Sequence, residues 1–526
     1  MSERTSAVNV YGANEQLPLA PYTSDHSRRW DMLMHYETLE ARFSKINNLN
    51  HAVAMLSWDD AAVMPPGGGV ARAEALATLN GVLHGELSAP EIADLIHATA
   101  DEPLEAWQRA NVREMERSFD AAMAVPADLV TAYSRATSIC EQRWRQLRVA
   151  NDFNGILPLL SEVVNLTRHR AQCLAEAKGL ELYDALLDIY EPGLRQADVD
   201  PLFRVLLDFL PGCIDSILAR QEPAIPIEGP FAEDRQANLG RVMMTRLGFD
   251  FEHGRLDVSH HPFCGGVPDD TRITTRYNEN NFLESLFGVL HETGHALYEQ
   301  GLPSLWRTQP VGGSGGMALH ESQSLFMEMQ VCRSPDFIAF AAPHIRDAFG
   351  GGNESAEWSA DNLLQHVRKV GRGFIRVDAD EATYPMHVIL RYELEKALVA
   401  GNLDPADIPD AWNEKMQSYL GLDTEGNDAD GCMQDVHWFS GAIGYFPTYT
   451  LGALAAAQLF KSAMEAIDDL PGLIAHGEFG SLVGWLRHQV HSQGRLLATG
   501  PLIEKITGEP LSAQAFKVHL ESRYLD

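Results

Sequence analysis

Asn281-Phe-Leu-Glu-Ser-Leu-Phe-Gly-Val-Leu-His-Glu-Thr-Gly-His-Ala-Leu-Tyr-Glu-Gln-Gly301 is the stretch on which the reading of this chain turns. Apolar Phe282, Leu286, Val289, Leu290, Ala296 and Leu297 recur at helical spacing on nearly every side, which predicts a buried helix. Asn281 is a good N-cap, Glu284 stands in capping-box position, and Gly301 and Pro303 end the run. His291 and His295 are four residues apart and so share a face, with Cβ atoms about 5–6 Å apart. Two imidazoles and Glu292 in so apolar a helix cost several kcal/mol unless partnered, and a metal ion is a complete partner. In this arrangement the histidines are ligands and Glu292 is a base beside the ion.

Catalytic zinc takes three protein ligands and leaves one position open. Downstream, Gly312-Gly-Ser-Gly-Gly316 reads as a flexible loop and Met317 to Cys332 as a second helix. Glu321, in its first turn, is one candidate third ligand; Glu328, two turns on along the same face, is the other. His320 reads as a residue that satisfies a neighbour.

Outward from this core, helical periodicity dominates, and no train of alternating strands with Asn-Gly or Asp-Gly turns announces a β domain. Helices are predicted over Trp30 to Leu56, Arg72 to Leu87, Ala127 to Glu176, Ala197 to Ala219 and Ala360 to Val370, with a break at Met64-Pro-Pro-Gly-Gly-Gly69. Strand material is confined to Leu256–Ser259 and Thr271–Thr275, paired as a small hairpin or sheet. The expected fold is mainly α: residues 1–29 form a polar extension, and residues 30–526 one large helical body of two lobes around a cleft.

The 526 residues carry 41 Lys+Arg against 73 Asp+Glu, a net charge of −32. That field opposes nucleic acid and anionic lipid. Six scattered cysteines without a CxxC pair suit a reducing compartment. Met1 to Trp30 lacks the apolar core of a signal peptide, and Gly444 to Phe460 is too short and interrupted to span a membrane. A soluble cytoplasmic protein is expected.

Beyond the metal motif, His261-Pro-Phe263, Asp270-Thr-Arg-Ile-Thr274, His320-Glu-Ser-Gln323, Ile375-Arg-Val-Asp-Ala-Asp380 and Gly431-Cys-Met-Gln-Asp-Val-His-Trp438 follow in order. Leu56-Ser-Trp-Asp59, Met64-Pro-Pro66, Tyr183 to Gly193 and Gly444 to Tyr449 add to them. Together, over about residues 30 to 520, they resemble the carboxypeptidase Taq family of metallocarboxypeptidases. The resemblance implies an all-α cleft fold similar to the neurolysin and angiotensin-converting-enzyme group, a homodimer, one zinc or cobalt ion per chain, and broad-specificity release of residues from peptide C-termini. It also assigns His291, His295 and Glu321 as metal ligands and Glu292 as the catalytic carboxylate.

A carboxypeptidase must hold a terminal carboxylate, for which the guanidinium fork is the natural partner. Arg376 is the first candidate and Arg272 the second, each with nearby acids (Asp378 or Asp380, and Asp270) as competing partners. Asp378 with Glu381 also reads as a capping box. His437 and Tyr445, and less strongly Tyr449, are candidates to donate to an oxyanion; His261 is a candidate cleft residue. The rival readings are an oligopeptidase or endopeptidase on the same fold and a peptide-binding protein without turnover.

Overall fold

The computed structural model describes residues 34–259, 261–352 and 354–526; the extension assigned to residues 1–29, and the expected helix start at Trp30, lie outside them. Among the described residues, twenty α-helices and one three-stranded sheet form the regular structure, the mainly α class predicted. No helix among them is long and apolar enough to cross a membrane. All six cysteines are free.

Most predicted helices form with shifted ends. The first runs Met34–Ala62, past its expected end at Leu56, and the Pro-Gly break is a 3-10 turn, Pro66–Gly68, leading directly into Gly69–Leu87. The long helix expected over Ala127 to Glu176 is two, Ala127–Val149 and Phe153–Lys178. Asn151 between them takes a left-handed φ of 53°, and the Asp152 carboxylate accepts the Gly155 amide at 2.8 Å. Asn and Asp tolerate such turns, a local signal that the unbroken apolar period conceals.

The strands also differ from expectation. β1 (Gly254–Val258) and β3 (Asp270–Thr275) pair, but in parallel, and β2 (Phe263–Val267) lies antiparallel on the other side of β3. Gly265 and Gly266 interrupt any alternation in β2, so its pattern is invisible in the sequence. Ile273 on the central strand packs with Val289 and Ala296 of the Phe282–Gly301 helix, so the sheet backs the histidine pair. Trp58 of the first helix, 2% exposed, lies beneath Arg272 and Arg255, whose guanidinium carbons are 4.7 and 5.6 Å from its ring. The first helix is thereby docked onto the sheet.

A small core of Leu39, Phe43, Ile46, Ile92 and Met115 holds the N-terminal helices together. A much larger one runs from Ala136 to Leu520. Inside the large core three helices meet unusually closely. A Cβ on Gly294 would lie 2.4 Å from the Gln323 carbonyl oxygen and 2.6 Å from Ser324 Cα; a Cβ on Gly452 would lie 2.8 Å from Glu321 Cβ. Gly294 belongs to the histidine helix and Gly452 to Pro447–Ala466, so the Met317–Leu325 helix is gripped from both sides. Gly301 has a related role: a Cβ there would meet His491 Nδ1 at 2.5 Å, and the helix ends in extended Leu302 rather than a left-handed glycine cap. The expected Asn281–Glu284 capping box is absent. Glu284 instead accepts from Arg276 (2.7 Å) and Asn278 (3.0 Å), a charge-assisted bond that outcompetes a backbone amide.

The glycine contacts set a stability expectation. Gly294→Ala should cost about 1–3 kcal/mol, since the methyl meets backbone that cannot rotate away. Gly484→Ala, at a helical glycine with nothing within 4 Å of the added carbon, should be neutral or stabilising by up to about 1 kcal/mol. Urea unfolding of both variants measures the contrast, and equal midpoints would contradict it.

Candidate active site

The structure brings His291, His295 and Glu321 together with one ligand atom from each within 4.8 Å of the others. Nε2 of His291 is 3.9 Å from Glu321 Oε1, and Nε2 of His295 is 3.4 Å from Glu321 Oε2. The outward nitrogens are engaged elsewhere. His291 Nδ1 is 2.9 Å from Glu328 Oε2, and Glu328 also accepts from Arg333 at 2.7 Å. His295 Nδ1 faces both the His320 carbonyl (3.0 Å) and His320 Nδ1 (2.7 Å), while His320 Nε2 is 2.8 Å from Glu299. The consistent assignment puts a proton on Nδ1 of His291 and His295 and on Nε2 of His320, leaving the Nε2 lone pairs of His291 and His295 pointing inward.

Glu328 therefore sits behind His291 rather than among the inward-facing donors. Its position follows from a feature the sequence does not display: the helix expected over Met317 to Cys332 is α-helical to Leu325 and a π-helix from Phe326 to Cys332. The wider turn rotates Glu328 away from the Glu321 direction. At the other end, the Glu191 carboxylate accepts the Ala318 amide at 2.8 Å and caps this helix. The Tyr183 to Gly193 motif is thus a support for Glu321.

Three carboxylates around two imidazoles leave the centre short of positive charge. Burial disfavours imidazolium at His291, yet Glu321, Glu328 and Glu292 outweigh it and raise its pKa to about 10. Burial and the neighbouring His320 lower His295 to about 4. Burial pushes the Glu321 carboxyl up, but His291 and His295 outweigh it and hold it below its ordinary value; Glu328, likewise buried, falls to about 2 against Arg333 and His291. Glu292 is 6% exposed, and burial, aided by Glu321, lifts it to about 7. A dication fits this donor set: two neutral nitrogens, one carboxylate and a surplus of negative charge that otherwise recruits a proton onto His291.

Beside the metal donors lies a second cluster. Arg376, 4% exposed, donates through Nε and Nη2 to Asp435 (2.8 Å from Nη2) and through Nη1 to the Tyr384 hydroxyl at 3.2 Å. Arg391, fully buried, donates through Nε to the same Asp435 at 2.7 Å, with its Nη2 ion-paired 2.6 Å from that carboxylate. Asp435 is held far below the carboxylate range; burial opposes this, and the two guanidinium groups overcome it. His437 Nε2 is 3.0 Å from the Tyr449 hydroxyl, its Nδ1 is buried without a hydrogen-bond partner 4.0 Å from Asp435 Oδ1, and burial lowers the pKa of the ring to about 3. The Tyr445 ring packs edge-on against Tyr449 at 5.1 Å. Tyr384, Tyr445 and Tyr449 all feel the Glu321 charge, which joins the two clusters into one site.

The remaining candidates fall at the margins. His261 Nδ1 is 2.8 Å from the Pro262 carbonyl, and burial lowers its pKa, with Arg376 and Asp435 in electrostatic reach. Arg272 forms a two-pronged pair with Asp270 (2.8 and 2.6 Å) and lies over Trp58, so its contacts are on the sheet and away from the metal donors. The Asp378–Glu381 capping box does not form. Asp380 is the local cap, accepting the Ala382 and Thr383 amides at 3.0 Å, and Glu381 turns toward the C-terminal helix. Arg391 and Asp435 were not singled out from the sequence. Asp435 lies within the stretch Gly431 to Trp438, but Arg391 sits on a helix buried on all sides, where nothing local separates it from a core arginine.

Over most of its length the chain is similar to known metallopeptidases. The family model described as carboxypeptidase Taq (M32) metallopeptidase matches residues 38–524. Thermostable carboxypeptidase 1 of Thermus thermophilus is 39% identical over 486 residues, 90% of this chain and 94% of that one. Among solved structures, Trypanosoma cruzi metallocarboxypeptidase 1 has a TM-score of 0.91 at 40% identity, covering 94% of this chain and 100% of that one. The M32 carboxypeptidase of Deinococcus radiodurans has a TM-score of 0.89 at 33% identity, covering 93% and 99%. The chain belongs to the carboxypeptidase Taq (M32) family and is a metallocarboxypeptidase.

Proposed function

We propose that this metallocarboxypeptidase removes single residues from peptide C-termini with broad specificity, using one zinc ion, for which cobalt can substitute, held by His291, His295 and Glu321. The observation that carries the exopeptidase reading is a charge imbalance. Arg376 and Arg391 share the one carboxylate of Asp435. A buried surplus of positive charge is costly alone and calls for an anion. The terminal carboxylate of a peptide is that anion, and Arg376, bordered by Tyr384 and Tyr449, is the group we assign to it.

The ion, when bound, supplies Lewis-acid polarisation of the scissile carbonyl and acidifies the attacking water. Glu292 accepts the proton of that water and delivers it to the departing amine, a dual role suited to a carboxyl lifted to about 7. Tyr449 donates to His437 Nε2, which leaves Nδ1–H of His437, together with the Tyr445 hydroxyl, as oxyanion donors. Arg272 and His261 are assigned the outer edge of the substrate cleft. The six free cysteines support a cytoplasmic setting, and the family resemblance supports a homodimer, which light scattering tests.

Three outcomes are expected. Because metal-free His291 keeps its proton up to about pH 10, binding of zinc should release about one proton, and affinity should rise up to about tenfold per pH unit below that value. Chelator competition across pH measures this, and Glu321→Gln should weaken binding throughout; full occupancy in that variant would exclude Glu321 as a ligand. Glu292→Gln should keep its metal and fold but lose about 10²–10⁴ in kcat; near-normal turnover would remove Glu292 as the base. Amidating the peptide C-terminus and Arg376→Ala should each lower kcat/KM by roughly 10- to 150-fold, with markedly non-additive losses. Internal fragments as first products, or equal rates on free and amidated peptides, would favour an oligopeptidase, and metal binding without turnover a peptide-binding protein.

A further inference from the structure

The helix Gln514–Tyr524 contacts the backbone just after Glu328 and the Glu381 side chain beyond Arg376, without contributing a residue to the site. Arg523 Nη1 donates to the Met329 carbonyl at 2.5 Å and to Glu381 Oε1 at 2.9 Å, and its Nη2 donates to the Gln330 carbonyl at 3.2 Å. Glu381 also accepts from His519 Nε2 (2.9 Å) and the Tyr524 hydroxyl (2.7 Å). Its side chain is 1% exposed and that of Arg523 is 7% exposed.

Met329 and Gln330 directly follow Glu328 in the π-helix. There the carbonyls no longer line up with the amides four residues on, and an external donor can take them. Arg523 therefore holds the turn that aims Glu328 at His291 Nδ1. Glu381 stands five residues beyond Arg376 and just before the helix Tyr384–Ala400, whose Tyr384 hydroxyl accepts from Arg376. One ion pair thus joins the backbone behind a metal ligand to the segment carrying the carboxylate-binding arginine. A second contact runs in parallel, because Arg333, paired to Glu328, has Glu381 and Tyr524 in electrostatic reach. A buried ion pair is weak evidence for stability, since an apolar replacement often serves as well. What an apolar pair would not supply is the donors to the Met329 and Gln330 carbonyls, which tie that turn to Glu381.

We propose that Glu381 and Arg523 are positioning residues that set the distance between the metal centre and Arg376, and through it the number of residues removed in each turnover. This rests on the assignment of Arg376 to the terminal carboxylate. A peptide held at its carboxylate presents its last peptide bond to the metal only if that span is constant. If the span is loosened, the second bond from the end also reaches the metal.

The test uses the metal-saturated enzyme with free and C-terminally amidated peptides, reading first products by time-resolved mass spectrometry. Arg523→Met removes the charge and the donors at similar volume. Glu381→Gln keeps shape and removes charge. Arg523→Lys retains the ion pair but cannot reach both carbonyls. Preference for the free over the amidated peptide should fall about 3- to 30-fold in Arg523→Met and Glu381→Gln. Dipeptides should join single residues among the first products, and Arg523→Lys should fall between these variants and the wild type. If folded variants lose rate equally on both peptides and still release only single residues, the pair is merely structural and the proposal is overturned. Should Arg523→Met not fold, the other two variants decide by the same ratio. A wild-type enzyme indifferent to amidation would overturn the Arg376 assignment and this proposal with it. Wild-type preference that persists unchanged in the variants overturns this proposal alone.

Discussion

Everything at the metal centre depends on how closely three helices approach. Glu321 reaches two imidazoles only because Gly294 lets the histidine helix lie against the backbone at Gln323 and Ser324, and because Gly452 lets a third helix close over Glu321 itself. Interiors are packed as densely as organic crystals, so such an approach is not a soft variable. A single methyl at either glycine sits between the ligand and its place. The two variable positions inside the histidine motif are therefore not equivalent: Thr293 satisfies its hydroxyl on the Val289 carbonyl, whereas Gly294 sets the interaxial distance.

The site contains two opposite charge imbalances side by side. Around His291 and His295 three carboxylates leave an excess of negative charge; around Asp435 two guanidinium groups leave an excess of positive charge. Neither is comfortable in a buried setting, and on the function proposed above each would be resolved by something the chain does not itself provide: a dication in one case, a carboxylate in the other. The tyrosines between them are neutral; Tyr384 is buried, and Tyr445 and Tyr449 are half-buried. The Tyr384 and Tyr449 hydroxyls meet Arg376 and His437, and the Glu321 charge reaches all three rings through space.

What could be read from the sequence follows the range of the physics involved. The histidine helix, its burial and the i, i+4 pairing are local, and they were legible residue by residue. The mainly α class followed from the same periodicity. Glu321 and Glu328 stayed indistinguishable by spacing because both occupy one face of an ideal helix; the family resemblance favoured Glu321, and a π turn separates the two in space. The break at Asn151, the strand Phe263–Val267 and the partners of Glu284 and Glu381 all depended on contacts or turn chemistry that an apolar period does not encode. Arg391 was beyond reach for the same reason, since its partner Asp435 is far away in the chain.

The cover that Gly452 permits has a consequence for synthesis. The histidines and Glu321 leave the ribosome together, but the helix that closes over them lies roughly 130 residues further on. At about 5–20 residues per second, that leaves an interval of about 7–26 s in which the ligands exist without their lid. During that interval the Glu321 face of the Met317–Leu325 helix has no cover, and any ion captured there is held by an unfinished site. The order of elements along the chain thus makes the metal centre a late product of folding.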